Sequence, residues 1–277
     1  MAINSLRVNM LRSALTSLGV IIGVSAVIIM LAVGSGASKK VTENMEAMGT
    51  NILTVRSASA KSGGVHMGMG TNPTLASKDA LAIKKMARGI LAISTMSSQT
   101  QQLTYGNQNW STTVYGVQPA YLYIKNYEIE MGRGFIPEDL QNSAKVTLIG
   151  STVAEELFGD VDPINKIIRV GNIPFKVVGL LKVKGQSGPF DQDDLIFIPI
   201  TTAQKKVFGT DFPGTVSQIV IKGQNPETLD QTIEDINEIL VARHNLGKKQ
   251  EKDFEIRNSA EYQERMKSTL QTCAILL

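Results

Sequence analysis

One uncharged apolar segment near the start of the chain constrains the fold more than any other feature. Residues 14–33 contain no charged side chain over twenty consecutive positions. At a rise of about 1.5 Å per residue, a helix of this length covers about 30 Å, the thickness of the hydrocarbon core of a bilayer. A cleaved signal peptide is the alternative, but its apolar stretch usually has only about 7–15 residues. We therefore predict a retained transmembrane helix over 14–36.

Charge on the two sides of this segment bears on its orientation. Arg7 and Arg12 precede it, and Lys39 and Lys40 follow it. Because the positive-inside rule counts Lys and Arg, this distribution alone does not decide. Residues 1–13 are too few to form a domain and have an amphipathic, basic pattern that suits the cytoplasmic surface. We therefore expect the large polar remainder of the chain on the outer side of the membrane.

Two further features concern membrane helices. Gly19 and Gly23 form a GxxxG pattern, which allows close packing of another helix, although glycine is also simply common in transmembrane segments. Residues 268–277 are apolar again but are too few to span a bilayer. They are interpreted as the beginning of a second, truncated transmembrane helix, with a short apolar tail as the alternative.

The sequence between the membrane segments predicts an α+β domain. Short strand patterns alternate with short helices, and hairpins are expected around the Gly-Asn pairs at 106–107 and 171–172. Ser77 is predicted to cap one helix, and TTAQ at 201–204 to form a capping box for another. A long helix is predicted to follow Asn225, with one apolar stripe formed by Leu229, Ile233, Ile236, Leu240 and Val241. The hairpin-rich block 106–214 is predicted to be a subdomain inserted between 37–105 and 215–267.

No pattern of catalytic or metal-binding residues stands out. There is no Walker A motif and no G-x-S-x-G motif, and the two histidines, His66 and His244, are far apart in the sequence. His66, Met67 and Met69 offer soft ligands for copper, but a glycine-rich loop is the simpler interpretation. The single Cys273 excludes an intrachain disulfide, and no basic stripe indicates nucleic acid. We predict no catalytic residue, no bound cofactor and no metal site.

Three carboxylates cluster before a predicted strand, at Asp191, Asp193 and Asp194. They lack the ligand order of a calcium-binding loop. Two interpretations stay open: these residues cap an exposed hairpin tip, or, together with Gln186 and Phe190 of the same loop, they contact a partner protein.

The ordered set of motifs along the chain resembles that of MacB-type ABC transporter permeases. In the first membrane segment, Leu11-Arg12 and Leu15-Thr16 precede Leu18-Gly19-Val20 and Ile22-Gly23-Val24, as in the family signature. No single motif is specific, whereas the ordered set is. The resemblance then continues through MGTNILTV (48–55), YGVQPAY (115–121), MGRGF (131–135), VTLIGSTVAEELFG (146–159), DPINKIIRVGNIPFKVVGLL (162–181), DQDDLIFIPITTAQKKVFG (191–209) and DFEIRNS (253–259).

The resemblance implies a multi-pass permease of the bacterial cytoplasmic (inner) membrane that works as a homodimer. Its main domain is periplasmic or extracellular, with a Porter-like part (37–105 and 215–267) and an inserted Sabre-like part (106–214). A cytoplasmic ABC ATPase that binds ATP and magnesium, and a periplasmic adaptor, are the implied partners. Such a permease passes ATP-driven motion to its outer domain for efflux of drugs, peptides or similar cargo. In this framework, Gly34 and Gly36 are predicted to be a hinge through which that motion enters the domain.

Two departures from the family pattern leave alternatives. Only about a dozen residues precede the first helix, so the ATPase is expected either on a separate chain or in a part of the protein that this sequence does not include, and the same holds for the later helices. A permease of the same superfamily that acts in lipoprotein release or cell-wall hydrolase regulation stays open. A ligand-sensing module on a single membrane anchor also stays open.

Overall fold

The computed structural model describes residues 10–48, 51–58, 61–62, 65–66, 74–187, 190–209, 214–247, 251–259 and 261. These residues belong to two compact units, of which the first ends at Met45 and the second spans Glu46–Glu261. Helices and strands are mixed along the second unit, so the predicted α+β class is confirmed.

The helices and strands have the following bounds. The helices are α1 (Met10–Met48), α2 (Ser77–Met86), α3 (Ala120–Ile124), α4 (Pro137–Gln141), α5 (Ser151–Phe158), α6 (Ile200–Thr202) and α7 (Leu229–Arg243). A π-helical turn follows α6 at Ala203–Val207, and a 3-10 turn precedes α7 at Pro226–Thr228. The strands are β1 (Ile52–Ser57), β2 (Lys61–Ser62), β3 (Val65–His66), β4 (Ile90–Tyr105), β5 (Gln108–Val117), β6 (Ile129–Gly132), β7 (Val146–Ile149), β8 (Ile167–Val170), β9 (Ile173–Leu181), β10 (Gln186–Ser187), β11 (Phe190–Asp191), β12 (Leu195–Pro199), β13 (Gln218–Gly223) and β14 (Phe254–Asn258).

Helix α1 contains the predicted membrane segment. Its stretch Ala14–Gly34 is long and apolar enough to cross a membrane, which agrees with the predicted span. The polar side chains in its first turns bond within the helix: the Thr16 hydroxyl donates to the Arg12 carbonyl at 2.7 Å, and the Ser17 hydroxyl to the Ala14 carbonyl at 3.0 Å. Hydroxyl groups satisfied in this way are compatible with a surrounding of lipid.

A large sheet organises the second unit. Among the described residues it contains ten strands in the order β14-β1-β13-β4-β5-β12-β7-β9-β6, with β8 pairing to both β4 and β9. The pairs β5–β12 and β7–β9 are parallel, and the others are antiparallel. The two remaining strand pairs, β2–β3 and β10–β11, are short ladders of two residues per strand.

Two cores cover the opposite faces of the β14-β1-β13-β4 part of the sheet. Successive residues of a strand point to opposite faces. Accordingly Leu53 and Ile221 pack against helices α2 and α7, whereas their neighbours Ile52 and Val220 pack against α3 on the other side. On α7 the predicted apolar stripe is confirmed, because Leu229, Ile236 and Leu240 are buried and Ile233 and Val241 are packed against the same core.

The other half of the sheet closes on itself. Hydrogen-bonded pairs connect β4 to β5, β5 to β12, β12 to β7, β7 to β9, β9 to β8, and β8 back to β4. Every strand of this circuit contributes to a third apolar core, which also includes one face of α5. Its members include Leu103, Val114, Ile149, Val153, Leu157, Ile168, Val170, Phe175, Val177, Ile196 and Ile198.

The two predicted glycine hairpins are confirmed. Gly106 lies between β4 and β5 with a φ of 57°, and Gly171 lies between β8 and β9 with a φ of 58°. A positive φ at the first position of a two-residue turn is strained for other residues and tolerated by glycine. The predicted boundary between 105 and 106 falls in the first of these turns, while β4 itself pairs with strands on both sides of it. The division into two subdomains stays a prediction.

Both predicted helix caps are wrong. Ser77 is the first residue of α2, and the amide of the preceding Ala76 donates instead to the Asp79 carboxylate at 2.8 Å. A carboxylate is a stronger acceptor than a hydroxyl and also suits the positive end of a helix. In the TTAQ segment, 201–204, the two threonine hydroxyls donate to carbonyl oxygens within 140–144 at 2.7 and 2.8 Å. These tertiary partners take the place of the local cap.

Candidate functional site

The loop that connects β9 to β12 carries the residues predicted to contact a partner. We call residues 182–194 the arm; positions 188 and 189 lie outside the described residues. The short strands β10 and β11 pair within it, with Gln186 opposite Asp191 and Ser187 opposite Phe190. Phe190 is 73% exposed, which is unusual for so large an apolar side chain, and Gln186 is also exposed. Aromatic side chains, including Phe, are enriched at protein interfaces relative to the rest of the surface.

Asp193 holds the base of the arm. Its side chain is buried, with 4% exposure. The amide of Lys184 donates to both of its carboxylate oxygens, at 2.9 and 3.1 Å, and the amide of Gly185 donates at 2.7 Å. Hydrogen bonds from amides to a buried carboxylate are stronger than neutral ones. Asp193 therefore fixes the point at which the arm leaves β9.

The other two carboxylates are also engaged inside the molecule. Thr152 on α5 donates its hydroxyl to one Asp191 oxygen at 2.8 Å, and the amide of Asp193 donates to the other at 2.8 Å. The indole Nε1 of Trp110 on β5 donates to Asp194 at 2.8 Å. The five predicted contact residues thus lie in one loop but have different surroundings. The three carboxylates have partners within the chain, and Phe190 presents its side chain to the exterior. Contact with a partner stays a prediction for all five.

A lysine that the sequence did not single out ties the arm to the segment after α3. The ammonium of Lys184 donates to the Lys125 carbonyl at 2.6 Å and lies 4.2 Å from the centre of the Tyr127 ring. The Tyr127 hydroxyl in turn donates to the carbonyl of Gln192 at 3.3 Å. Burial lowers the pKa of Lys184 to about 8; the charge of Lys125 lowers it further, and Asp193 opposes the shift. No sequence pattern predicts these contacts, because their partners lie far apart in the chain.

The points where the chain enters and leaves the sheet are neighbours. Strand β1 follows α1 after three residues and pairs antiparallel with β14, so that Leu53 lies opposite Asn258. The Ser259 hydroxyl donates to the Ile52 carbonyl at 2.8 Å and accepts from the Ile52 amide at 3.2 Å. The strand that follows α1 and the strand that leads towards the apolar C-terminal residues are therefore fastened side by side.

The four glycines predicted to act in the membrane segment all lie within α1. A Cβ atom added at Gly19, Gly23, Gly34 or Gly36 meets nothing within 4 Å, so the helix leaves these positions open. Gly19 and Gly23 are four residues apart and therefore share one face. The helix continues through Gly34 and Gly36, where each glycine lowers helix stability by about 1 kcal/mol relative to alanine. Packing at the first pair and bending at the second stay predictions.

His, Cys, Asp and Glu side chains are the candidates for metal ligands in the part of the chain that the structure describes. No group of three or more His, Cys, Asp or Glu side chains there has the geometry to hold a metal ion. His66 is in β3, while Met67 and Met69 lie outside the described residues. His244 instead contacts the Asp253 carboxylate at 2.9 Å, joining the end of α7 to the start of β14.

Comparisons with known proteins agree with the resemblance seen in the sequence. The chain is 37% identical over 274 residues to the macrolide export ATP-binding/permease protein MacB of Chlorobaculum tepidum, covering 99% of this chain and 42% of that protein. It is 36% identical over 274 residues to the protein of the same name from Bdellovibrio bacteriovorus, with the same coverage. The chain therefore spans less than half the length of these curated relatives.

The fold is also found in solved structures. The periplasmic region of MacB from Actinobacillus actinomycetemcomitans superposes with a TM-score of 0.66 at 21% identity, covering 82% of this chain and 97% of that one. The extracellular domain of the noncanonic ABC-type transporter YknZ from Gram-positive bacteria superposes with a TM-score of 0.60 at 19% identity, covering 75% and 100%. The family model described as the MacB-like periplasmic core domain matches residues 13–239. The chain belongs to the MacB-like periplasmic core domain family.

Proposed function

We propose that this chain is part of a permease subunit of a MacB-type ABC exporter. In this proposal it transmits motion from a cytoplasmic ATPase, through α1, to the outer domain and a periplasmic adaptor. The permease is a homodimer in the bacterial cytoplasmic membrane, and ATP and magnesium bind to the ATPase subunit. The driven process is efflux of drugs, peptides or similar cargo.

The pairing of Ile52 with Ser259 is the observation that supports this proposal most directly. It fastens together the strands next to the two apolar ends of the sequence. A relative movement of the segments attached to these strands acts on one edge of a continuous sheet. Because slipping a strand by one residue would turn its buried side chains outward, the sheet resists internal shear. Motion applied at this edge is therefore passed on rather than absorbed.

The arm is the element of this domain best suited to contact an adaptor. Its base is fixed by Asp193, and its exposed aromatic, Phe190, is the kind of residue that dominates binding energy at protein interfaces. A rigid base lowers the entropy lost on binding. The cargo itself is not required to touch the chain closely if export is driven mechanically.

Co-purification tests the proposal on the natural full-length protein. Expressed with an ABC ATPase and a periplasmic adaptor from the same bacterium, it is expected to retain both proteins, and Phe190→Ala is expected to weaken adaptor retention by about tenfold or more. The matched control is Leu81→Ala on α2, which removes an exposed apolar side chain away from the arm. Absence of any ATPase association would contradict the permease assignment. ATPase association without an adaptor would favour the lipoprotein-release or hydrolase-regulating branch.

A further inference from the structure

Arg56 and Lys125 are two partly buried cationic side chains that have no anionic partner among the described residues. Arg56 on β1 forms no ion pair or side-chain hydrogen bond with the described residues, and its Nε atom is buried without a partner. Lys125, which directly follows α3, is also without an ionic partner among them. A buried cationic donor without an acceptor is unfavourable, so such groups are normally paired.

The carboxylate opposite Arg56 does not compensate for its charge. Glu255 lies directly across from Arg56 on β14, but Arg257 of the same strand binds it at 3.1 Å through Nε and again at 3.1 Å through a terminal nitrogen. Burial lowers the pKa of Arg56, the charge of Arg257 lowers it further, and Glu255 offsets only part of this. Burial also lowers the pKa of Lys125, with the charge of Arg56 as the second cause. Arg56 therefore lies within the electrostatic range of two other cations.

Two tyrosine hydroxyls complete the surroundings of Arg56. Tyr115 and Tyr121 pack around Phe197, with ring centres 5.9 and 5.6 Å from it. Neither hydroxyl has a hydrogen-bond partner among the described residues. Arg56 is four positions after Ile52 on β1 and therefore points to the same face of the sheet, which Tyr121 and Tyr115 also cover. Burial raises the pKa of both tyrosines, and Arg56 opposes this shift in both. Both are protonated at neutral pH and are available as donors.

We propose that Arg56, Lys125, Tyr115 and Tyr121 form a binding site for an oxyanion, a carboxylate or phosphate group. The guanidinium offers a planar pair of donors that matches two oxygens of such a group, the ammonium supplies a second charge, and the hydroxyls supply neutral donors. An oxyanion here satisfies the buried Nε and removes the repulsion between the two cations. A cation or a neutral ligand does neither. This site does not depend on the proposed transport function.

The test measures thermal unfolding of the full 277-residue chain in detergent at pH 7 and constant ionic strength. Chloride is replaced stepwise by inorganic phosphate in one series and by acetate in the other. A ligand that binds only the folded state raises the unfolding temperature in a saturable manner. We expect a saturable rise with at least one anion, and the stronger response identifies a tetrahedral phosphate or a planar carboxylate as the preferred group.

Three single variants locate the effect. Arg56→Met and Lys125→Met are each expected to weaken the apparent affinity for the anion at least tenfold. In chloride alone, each variant is expected to unfold at or above the unfolding temperature of the unmodified chain, because one of the two mutually repelling charges has been removed. Lys182→Met removes the same charge from an exposed residue paired with Glu128 at 2.8 Å, and is expected to keep the anion response. Lys125 lies in the turn after α3 and is partly exposed, so its variant remains informative even if Arg56→Met does not fold. No saturable rise with either anion in the unmodified chain, or an unchanged response in Lys125→Met, would overturn the proposal.

Discussion

The base of the arm depends on one buried carboxylate, so replacing Asp193 with alanine should release the arm without unfolding the domain. The substitution removes the acceptor for the amides of Lys184 and Gly185. A hydrogen bond to a charged group contributes about 1.5–3 kcal/mol, so the two together contribute about 3–6 kcal/mol. When the arm opens, the released amides form hydrogen bonds with water, which recovers part of this free energy. We therefore use the lower bound, about 3 kcal/mol.

Amide hydrogen exchange measures this quantity locally. A change of about 1.4 kcal/mol is a factor of ten in an opening equilibrium, so 3 kcal/mol corresponds to about a 100-fold faster exchange at Lys184 and Gly185. Core amides of β13 should exchange at unchanged rates, because that strand does not touch the arm. Asp193→Asn retains one acceptor oxygen without the charge and should accelerate exchange by about tenfold.

The surface control is Asp160→Asn, which removes a carboxylate from an exposed position outside the arm. It should leave exchange at Lys184 and Gly185 unchanged. If Asp193→Ala also leaves the exchange rates of both amides unchanged, contacts other than those of Asp193 hold the arm, and the prediction is refuted. If all amides of the second unit accelerate together, Asp193 supports the whole fold rather than the arm.

Three further predictions test other contacts of the fold. Asp79→Ala removes the acceptor of the Ala76 amide and the ion pair with the half-exposed Arg243. It should lower the free energy of unfolding by about 2 kcal/mol and the unfolding midpoint by about 4–8 °C. The control Asp230→Asn, at an exposed position of α7, should change the midpoint little. Burial lowers the pKa of Lys184 in the folded state to about 8, so between pH 8 and about 10.4 the unfolded chain binds more protons than the folded chain. The free energy of unfolding should therefore rise with pH in this window. In urea unfolding the rise should be steeper for the unmodified chain than for Lys184→Met. Gly150→Ala should lower the unfolding midpoint, since its Cβ would meet backbone atoms of the arm base, which unlike a side chain cannot rotate away.

Local patterns predicted most elements of the fold correctly. The long apolar helix, the glycine hairpins and the apolar stripe of α7 each depend on residues close together in the sequence, and each agrees with the structure. The two helix caps were wrong for a shared reason: a partner outside the local motif offered a better bond. Thr201, for example, donates to a carbonyl 61 residues away, which no local rule describes.

The candidate site could be predicted only in part. The cluster of Asp191, Asp193 and Asp194 was visible as a run of charges, but the sequence could not say which carboxylate is buried. Asp193 is buried because the amides of the preceding strand end converge on it, and that convergence follows from the hairpin geometry of the arm. No sequence pattern indicated Arg56, because its lack of a partner depends on the pairing of strand β1 with strand β14, which lies far away in the sequence.

The long strand β4 explains how one sheet can serve both halves of the domain. Its first half pairs with β13, next to β1 and β14, and its second half pairs with β5 and β8 in the closed circuit. The arm leaves from β9 and returns to β12, which are both members of that circuit. A force on the edge formed by β1 and β14 therefore reaches the base of the arm through backbone hydrogen bonds alone, by way of β13, β4, β5 and β12. Because each step is a ladder in which a slip of one residue would expose buried side chains, the register is strongly specified along this path. If the domain transmits motion to an adaptor as we propose, this continuity is the physical reason to look for the adaptor contact at Phe190, the exposed aromatic of the arm in which the path ends.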